Sequence, residues 1–554
     1  MNEIPFSRWA GRSILLLFLI PPAFLLVFFF FPLGTIFARS LSGEAIREFV
    51  GQAYLLRVVW FTFWQAALST LLTLVMGLPA AYLFASYDFP GKALLRALVT
   101  VPFVLPTVVV AVSFRALLGP TGPVNSLLVS AFDLRQAPLQ LEQTLAIILL
   151  AHIYYNMAVV IRLVGGFWAN LNPRGTEAAR VLGASPSRAF VEVTLPLLRP
   201  PLIGASILIY LFTFTSFGVI LILGGPSFST IETEIYRQYV TFLNPRVAAV
   251  LALIQIGFTF VLMLLYAHWQ RRLTVQLDFR PRKSTVRKPR KLTERLVVGL
   301  MVLGLCLFML SPLAALIGRS VMNRDGAFTL AYYQALPVQR QGSITFVPPL
   351  VAVRNSVAYA LLTMVLASLL GILGAMMINH RSRWRGWLDP IFMLPLGASA
   401  VTLGFAYMVS LGPLRTSPFI VLAAHTLVAL PFVVRTILPV MQGIKPSLRE
   451  AASIMGASPL TVLREVDLPI IGRALLVGAV FAFTVSMGEF GATSFIVRPN
   501  SGFLTMPIAI QRYLGQPGAL NFGQSLAMSS ILMAVCVGGF VAIERFRYAD
   551  IGEF

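Results

Sequence analysis

Twelve apolar runs, each long enough to cross a lipid bilayer, follow one another through this 554-residue chain. A helix needs roughly 20 apolar residues to cross the hydrocarbon core. The runs lie at 13–38, 58–86, 95–118, 143–168, 201–223, 247–268, 296–318, 355–378, 388–411, 417–441, 472–497 and 522–543. They are continuous and lack the ten-residue alternation of a membrane barrel. Only 12% of residues are charged and 57% are hydrophobic, against about 25% charged in a soluble domain. So large an apolar share cannot be hidden inside a soluble globule, and it excludes disorder as well. Cys306 and Cys536 each sit in an apolar run and read as small core residues, not as a disulfide or metal framework. The first run follows Arg8 and Arg12 as a signal peptide would. It is too long for one and lacks a small-residue cleavage site, so it reads as a retained helix. The expected fold class is an all-α membrane protein of about twelve transmembrane helices.

Basic residues set the orientation. The chain has 43 Lys and Arg against 21 Asp and Glu; in a membrane protein that excess concerns sidedness and does not call for nucleic acid. With the N-terminus in the cytoplasm, 29 basic residues fall inside and 14 outside, and Lys92, Lys283, Lys288, Lys291 and Lys445 are all inside. That asymmetry places both termini in the cytoplasm. Residues 271–295 hold ten basic residues against Asp278 and Glu294. This segment reads as a cytoplasmic linker, residues 269–295, lying near anionic lipid or simply fixing topology.

The linker divides a duplication. Residues 177–196 read EAARVLGASPSRAFVEVTLP and residues 450–469 read EAASIMGASPLTVLREVDLP, a constant offset of 273. The same offset pairs His152 with His425, Arg162 with Arg435, and Phe217-Gly218 with Phe490-Gly491. Upstream the offset is 293, pairing Pro102 with Pro395 and Gly119-Pro120 with Gly412-Pro413, because the second half lacks an outer loop around 121–140. The halves, 1–268 and 296–554, therefore form two parallel-repeat six-helix bundles.

The repeated segment lies between the fourth and fifth spans of each half, on the cytoplasmic side. Pro173-Arg174-Gly175 and Lys445-Pro446-Ser447 end the incoming helix. A short helix is expected to start around Glu177 and Glu450, carboxylates suited to a positive first turn. Ala178, Ala179, Ala451 and Ala452 keep it slender; Gly183 and Gly456 permit a sharp turn or a close backbone approach. Ser185-Pro186 and Ser458-Pro459 start a second short helix, and Leu195-Pro196 and Leu468-Pro469 close the unit. One such elbow could be an interfacial connector; two at the same position point to docking on another protein.

At these residues the chain resembles the permeases of binding-protein-dependent ABC importers, whose signature is EAA, three residues, Gly, nine residues, an apolar residue, one residue, Leu-Pro. Glu177-Ala178-Ala179, Gly183, Val193 and Leu195-Pro196 fit it, as do Glu450-Ala451-Ala452, Gly456, Val466 and Leu468-Pro469. The resemblance implies a type I importer permease fold in a bacterial plasma (inner) membrane. It implies that each loop seats on one of two copies of an ABC ATPase, which carry the ATP and Mg. It also implies a periplasmic or lipid-anchored substrate-binding protein. Fused halves are typical of thiamine and ferric-iron importers. The segment 216–255, with its LGGP turn at 223–226 and Thr-Ile-Glu at 230–232, looks most like the thiamine type; MGEFGATSFIV (487–497) is also similar to iron and oxyanion permeases.

No Gly-x-x-x-x-Gly-Lys-Ser/Thr loop is present, since Gly91-Lys92 is followed by Ala93, so the chain lacks that device for nucleotide phosphates. It carries no evident catalytic set or cofactor motif and does not read as an enzyme. An ion-coupled secondary transporter is the alternative, but it has no use for duplicated elbows. Intramembrane charge is costly and marks function or a partner. Glu489 stands mid-span where the first half has Ser216; both are candidate pathway residues, Glu489 either drawing a cationic substrate or bonding a neighbouring helix. His152 and His425 read as interhelical hydrogen bonds. The topology is tested by labelling introduced cysteines in sealed cells. A cysteine at Thr121 is expected to react from outside and one at Ser284 is not, and labelling at 284 would reverse the orientation.

Overall fold

Each apolar run folds as a helix or a bent pair of helices in the computed structural model, which describes residues 17–40, 43–273, 286–323, 325–339, 347–380, 385–497 and 502–548. Arg8, Arg12 and residues 274–285 of the linker lie outside the described residues. Among the described residues, eleven helices are long and apolar enough to span a membrane, and the bent pair Leu388–Gly397 and Ala400–Ser410, at 95°, makes a twelfth.

Two spans of each half are interrupted at matching places. The run 95–118 is not one helix but Lys92–Val104 followed by Thr107–Leu118. Pro106 has no N–H to continue the ladder and forces the preceding Leu105 to extend, at φ −68° and ψ 140°. In the second half the break falls at Ala398-Ser399, where the Ser399 hydroxyl accepts the Val401 N–H at 3.1 Å. The run 201–223 divides into Leu195–Phe214 and Gly218–Leu223, and 472–497 into Leu468–Gly488 and Gly491–Ile496. Within each half the pieces beyond the breaks pack on each other, Thr107–Leu118 on Gly218–Leu223 and Ala400–Ser410 on Gly491–Ile496.

The repeat also fixes close packing between the second and fourth spans. A Cβ on Gly77 would stand 2.8 Å from Val160 Cβ, and one on Gly371 would stand 2.5 Å from Val433 Cγ1. Only glycine lets these backbones approach, and it does so at corresponding positions of the two halves.

Packing divides the helices differently from the sequence repeat. One compact unit gathers Met1–Glu48, Ile235–Ile256 and Leu330–Glu553; the other gathers Phe49–Glu234 and Gly257–Thr329. The first span, Ile20–Ala38, thus lies among second-half helices, with Leu25, Phe29 and Ile36 buried and Phe28 edge-on to Phe419 at 5.8 Å. The seventh span, Leu292–Ser320, lies among first-half helices. There the Tyr154 hydroxyl donates to the Met309 carbonyl at 2.9 Å, and Arg319 donates to the Ala116 carbonyl at 3.1 Å. Its other face carries Leu296, Leu300, Leu303, Leu307 and Leu310, all exposed at helical spacing, a stripe suited to lipid. The end of the linker is pinned to the same unit. The Arg287 N–H donates to the Ser86 carbonyl at 3.1 Å, and its guanidinium lies 5.1 Å from the Tyr87 ring and 3.0 Å from Glu294.

Because each unit draws helices from both sides of the linker, the chain should survive being cut there. Residues 1–280 and 281–554, co-expressed as separate chains, are expected to co-purify from the membrane. Recovery of either fragment alone would refute this exchange of spans.

Candidate functional site

The two elbows are built by the same local chemistry. The first begins with the helix Arg174–Val181 and the second with Pro446–Ile454. Both start before the expected glutamates, and Pro446 is readily accepted as a first helical residue. Glu177 consequently lies in its helix's first turn, whereas Glu450 lies beyond it. Both glutamates are exposed.

Each helix ends in a Schellman turn. The Ala184 N–H donates to the Ala179 carbonyl at 3.0 Å and the Gly183 N–H to the Arg180 carbonyl at 3.1 Å; Ala457, Ala452, Gly456 and Ser453 repeat the pattern at 3.1 and 3.0 Å. Gly183 and Gly456 sit at φ +90° and +83°, with no atom within 4 Å of where a Cβ would stand. The motif's spacing follows from this geometry, since a left-handed glycine closes the turn and the residues at its two ends face each other. Of the two roles open to these glycines, the turn is the one the structure displays. A second short helix follows. The Ser185 hydroxyl accepts the Arg188 N–H at 3.3 Å and the Ser458 hydroxyl accepts the Thr461 N–H at 3.2 Å, each capping it.

Sequence reasoning missed the elbows' most prominent feature. Just before the glycines, Val181 and Leu182 are 87% and 88% exposed, and Ile454 and Met455 are 87% and 82% exposed. Each elbow therefore displays an apolar pair at its apex. The pairs share class and position but not identity, so a search for identical residues passes over them. Ala178 and Ala451 are exposed beside them, while Ala452 is buried. Leu195-Pro196 and Leu468-Pro469 open the next spans.

At the far end of those spans lies a buried polar clasp. His152 Nδ1 is 2.9 Å from Ser69 Oγ, and its Nε2 is 3.0 Å from Ser216 Oγ, joining the second, fourth and fifth spans. His425 does the same in the other half: Nδ1 is 2.7 Å from Ser486 Oγ, which contacts Thr363 Oγ1 at 3.3 Å. Its Nε2 lies 2.9 Å from Thr493 Oγ1 and 3.3 Å from Glu489 Oε2. The Glu489 oxygens also accept the Ala492 N–H at 2.7 Å, the Thr493 N–H at 3.1 Å and the Thr493 hydroxyl. Of the two roles considered for Glu489, the structure displays bonding to neighbouring helix groups, and the carboxylate is buried. Ser216 occupies the matching place and is buried too. The elbows and the clasps are separate features within each half, joined by the fifth span.

Known proteins resemble this chain in sequence. Residues 74–275 and 367–547 each match the family model described as "Binding-protein-dependent transport system inner membrane component", and each match contains one elbow. The chain is 25% identical over 542 residues to the thiamine transport system permease protein ThiP of Brucella abortus (strain 2308), covering 93% of this chain and 94% of that protein. To ThiP of Escherichia coli K12 it is 26% identical over 509 residues, covering 89% of each. The putative 2-aminoethylphosphonate transport system permease protein PhnU of Salmonella typhimurium is 27% identical over 259 residues, 46% of this chain and 91% of that protein.

The left-handed glycines can be tested without reference to activity. A β-branched residue there should cost about 1–2 kcal/mol, and asparagine far less. Gly183→Val and Gly456→Val are expected to speed amide exchange across their elbows by roughly five- to thirtyfold, and Gly183→Asn to leave it nearly unchanged. Equal effects of Val and Asn would show that contact, not φ, selects glycine.

Proposed function

The chain belongs to the family of binding-protein-dependent transport system inner membrane components, matched over more than half its length, and on that premise we propose that it is the fused permease of an ABC importer for thiamine. Each elbow seats in a groove of one ATPase subunit, so one copy of this chain serves two ATPases and needs no second permease. Val181-Leu182 and Ile454-Met455 enter the grooves, and burying each such side chain contributes roughly 1.5–3 kcal/mol. Glu177 and Glu450 stand on the exposed surface of the same helices. ATP and Mg belong to the partner. A substrate-binding protein delivers thiamine on the opposite side of a bacterial plasma membrane, and the termini and linker face the cytoplasm.

The observation that carries this reading is the exposed apolar pair at the same place on two elbows, one in each family match. Thiamine is supported by the names of the full-length relatives. Interrupted helices at matching positions of two repeats are the usual mark of a transport route, and the third and fifth spans supply them. Ser216 and Glu489 serve that route by holding its breaks in shape.

Leu182→Asp and Met455→Asp should each leave the permease in the membrane, remove most of the co-purifying ATPase and lower labelled thiamine uptake at least tenfold. Normal uptake in both would overturn the docking assignment. The intact complex is expected to weigh as one permease with two ATPases. Uptake by the assembled system that excess unlabelled thiamine fails to compete would overturn the substrate alone.

A further inference from the structure

Both elbows fold back onto the span that follows through one side-chain pair at corresponding positions. Thr176 Oγ1 lies 3.2 Å from Thr194 Oγ1. Adding 273 to each number gives Arg449 and Asp467, whose Nε donates to Oδ1 at 2.8 Å. The first partner immediately precedes the elbow's glutamate, and the second immediately precedes its Leu-Pro. One pair is neutral and the other ionic, so position is kept while chemistry is exchanged.

What these pairs brace is a wide turn. Phe190–Thr194 and Leu463–Asp467 are π-helical, and the Leu195 and Leu468 N–H groups reach back five residues to the carbonyls of Phe190 and Leu463. Pro196 and Pro469 come next. A proline has no N–H to offer and its ring crowds the carbonyl four residues earlier; widening the turn relieves that crowding. The same spacing recurs at Leu26–Phe30 before Pro32. Proline is not sufficient, because Pro79 and Pro312 lie inside helices that remain α-helical. A widened turn that has given up its regular ladder is a natural pivot. Left alone, it would absorb any displacement of the elbow.

We propose that Thr176–Thr194 and Arg449–Asp467 are positioning pairs that lock each elbow to its span across this pivot, so that the two move as one lever. The proposal rests on the reading of the elbows as ATPase docking sites. Docking itself is carried by the apolar apex; the pairs transmit the motion. Only their geometry matters, so the two chemistries are interchangeable.

The test uses the full complex of permease, ATPase and binding protein reconstituted in liposomes. Asp467→Ala is expected to keep wild-type membrane abundance and bound ATPase. Stimulation of ATP hydrolysis by substrate-loaded binding protein should fall at least tenfold, with uptake falling in parallel. Arg449→Thr combined with Asp467→Thr, which transplants the first elbow's pair, should restore at least half of the stimulation. Wild-type coupling in Asp467→Ala, or a double variant as uncoupled as the single one, would overturn the proposal. So would disappearance of Asp467→Ala from the membrane or loss of its ATPase, since the pair would then be a folding or docking contact. Failure of the docking reading shows up separately, as a wild-type permease that retains no ATPase.

Discussion

A peptide group surrounded by hydrocarbon must find its hydrogen bond inside the protein, and this structure meets that demand at four interrupted helices. The clasps follow from it. Where the eleventh span stops at Gly488, the Glu489 carboxylate takes up the first free N–H groups of Gly491–Ile496, at Ala492 and Thr493. A buried charge needs its own partners, and His425 with Thr493 supplies them. The first half carries less charge at the matching place, where Ser216 stands for Glu489 and pairs with His152, which stands for His425. The broken helices of the third and fifth spans then pack on each other within each half.

The fifth span connects the two special regions of each half. Its first residues follow the elbow and its last residues meet the clasp. A helix of twenty residues, such as Leu195–Phe214, is about 30 Å long. On the docking reading proposed above, motion imposed at the elbow would pass along this helix to the break where Ser216 meets the histidine. This arrangement needs no relay of small side-chain shifts across the membrane, only a helix stiff enough to be pushed and a joint that does not give.

The spans and the duplication were legible because both rest on many residues in series: apolar runs of fixed length, and identical letters at an offset of 273. The elbows were legible because glycine and proline report backbone geometry directly, and Gly183, Gly456, Ser185-Pro186 and Ser458-Pro459 stand where the turns and caps are found. The interruptions in the fifth spans were not. Thr215, Ser216 and Phe217 are poor predictors of a break, and the surrounding apolar residues read continuously through it. The histidines' partners Ser69, Ser486 and Thr493 come from distant helices and carry no local signal. The apolar apices were hidden by the opposite problem, since a reader searching for identity between copies discards Val-Leu against Ile-Met.

The exchanged spans carry a consequence for how the protein is made. The seventh span emerges after the helices it packs on, Thr107–Leu118 and Leu145–Val159, and can settle as soon as it is synthesised. The first span emerges long before Ala400–Ser410 and Pro418–Gly443, against which its residues pack. At about 5–20 residues per second, the intervening chain takes roughly 20–70 s to appear. For that interval the first span waits in lipid with its core face of Leu25, Phe29 and Ile36 uncovered. Biogenesis of the unit containing Leu330–Glu553 thus reunites an early span with spans made much later.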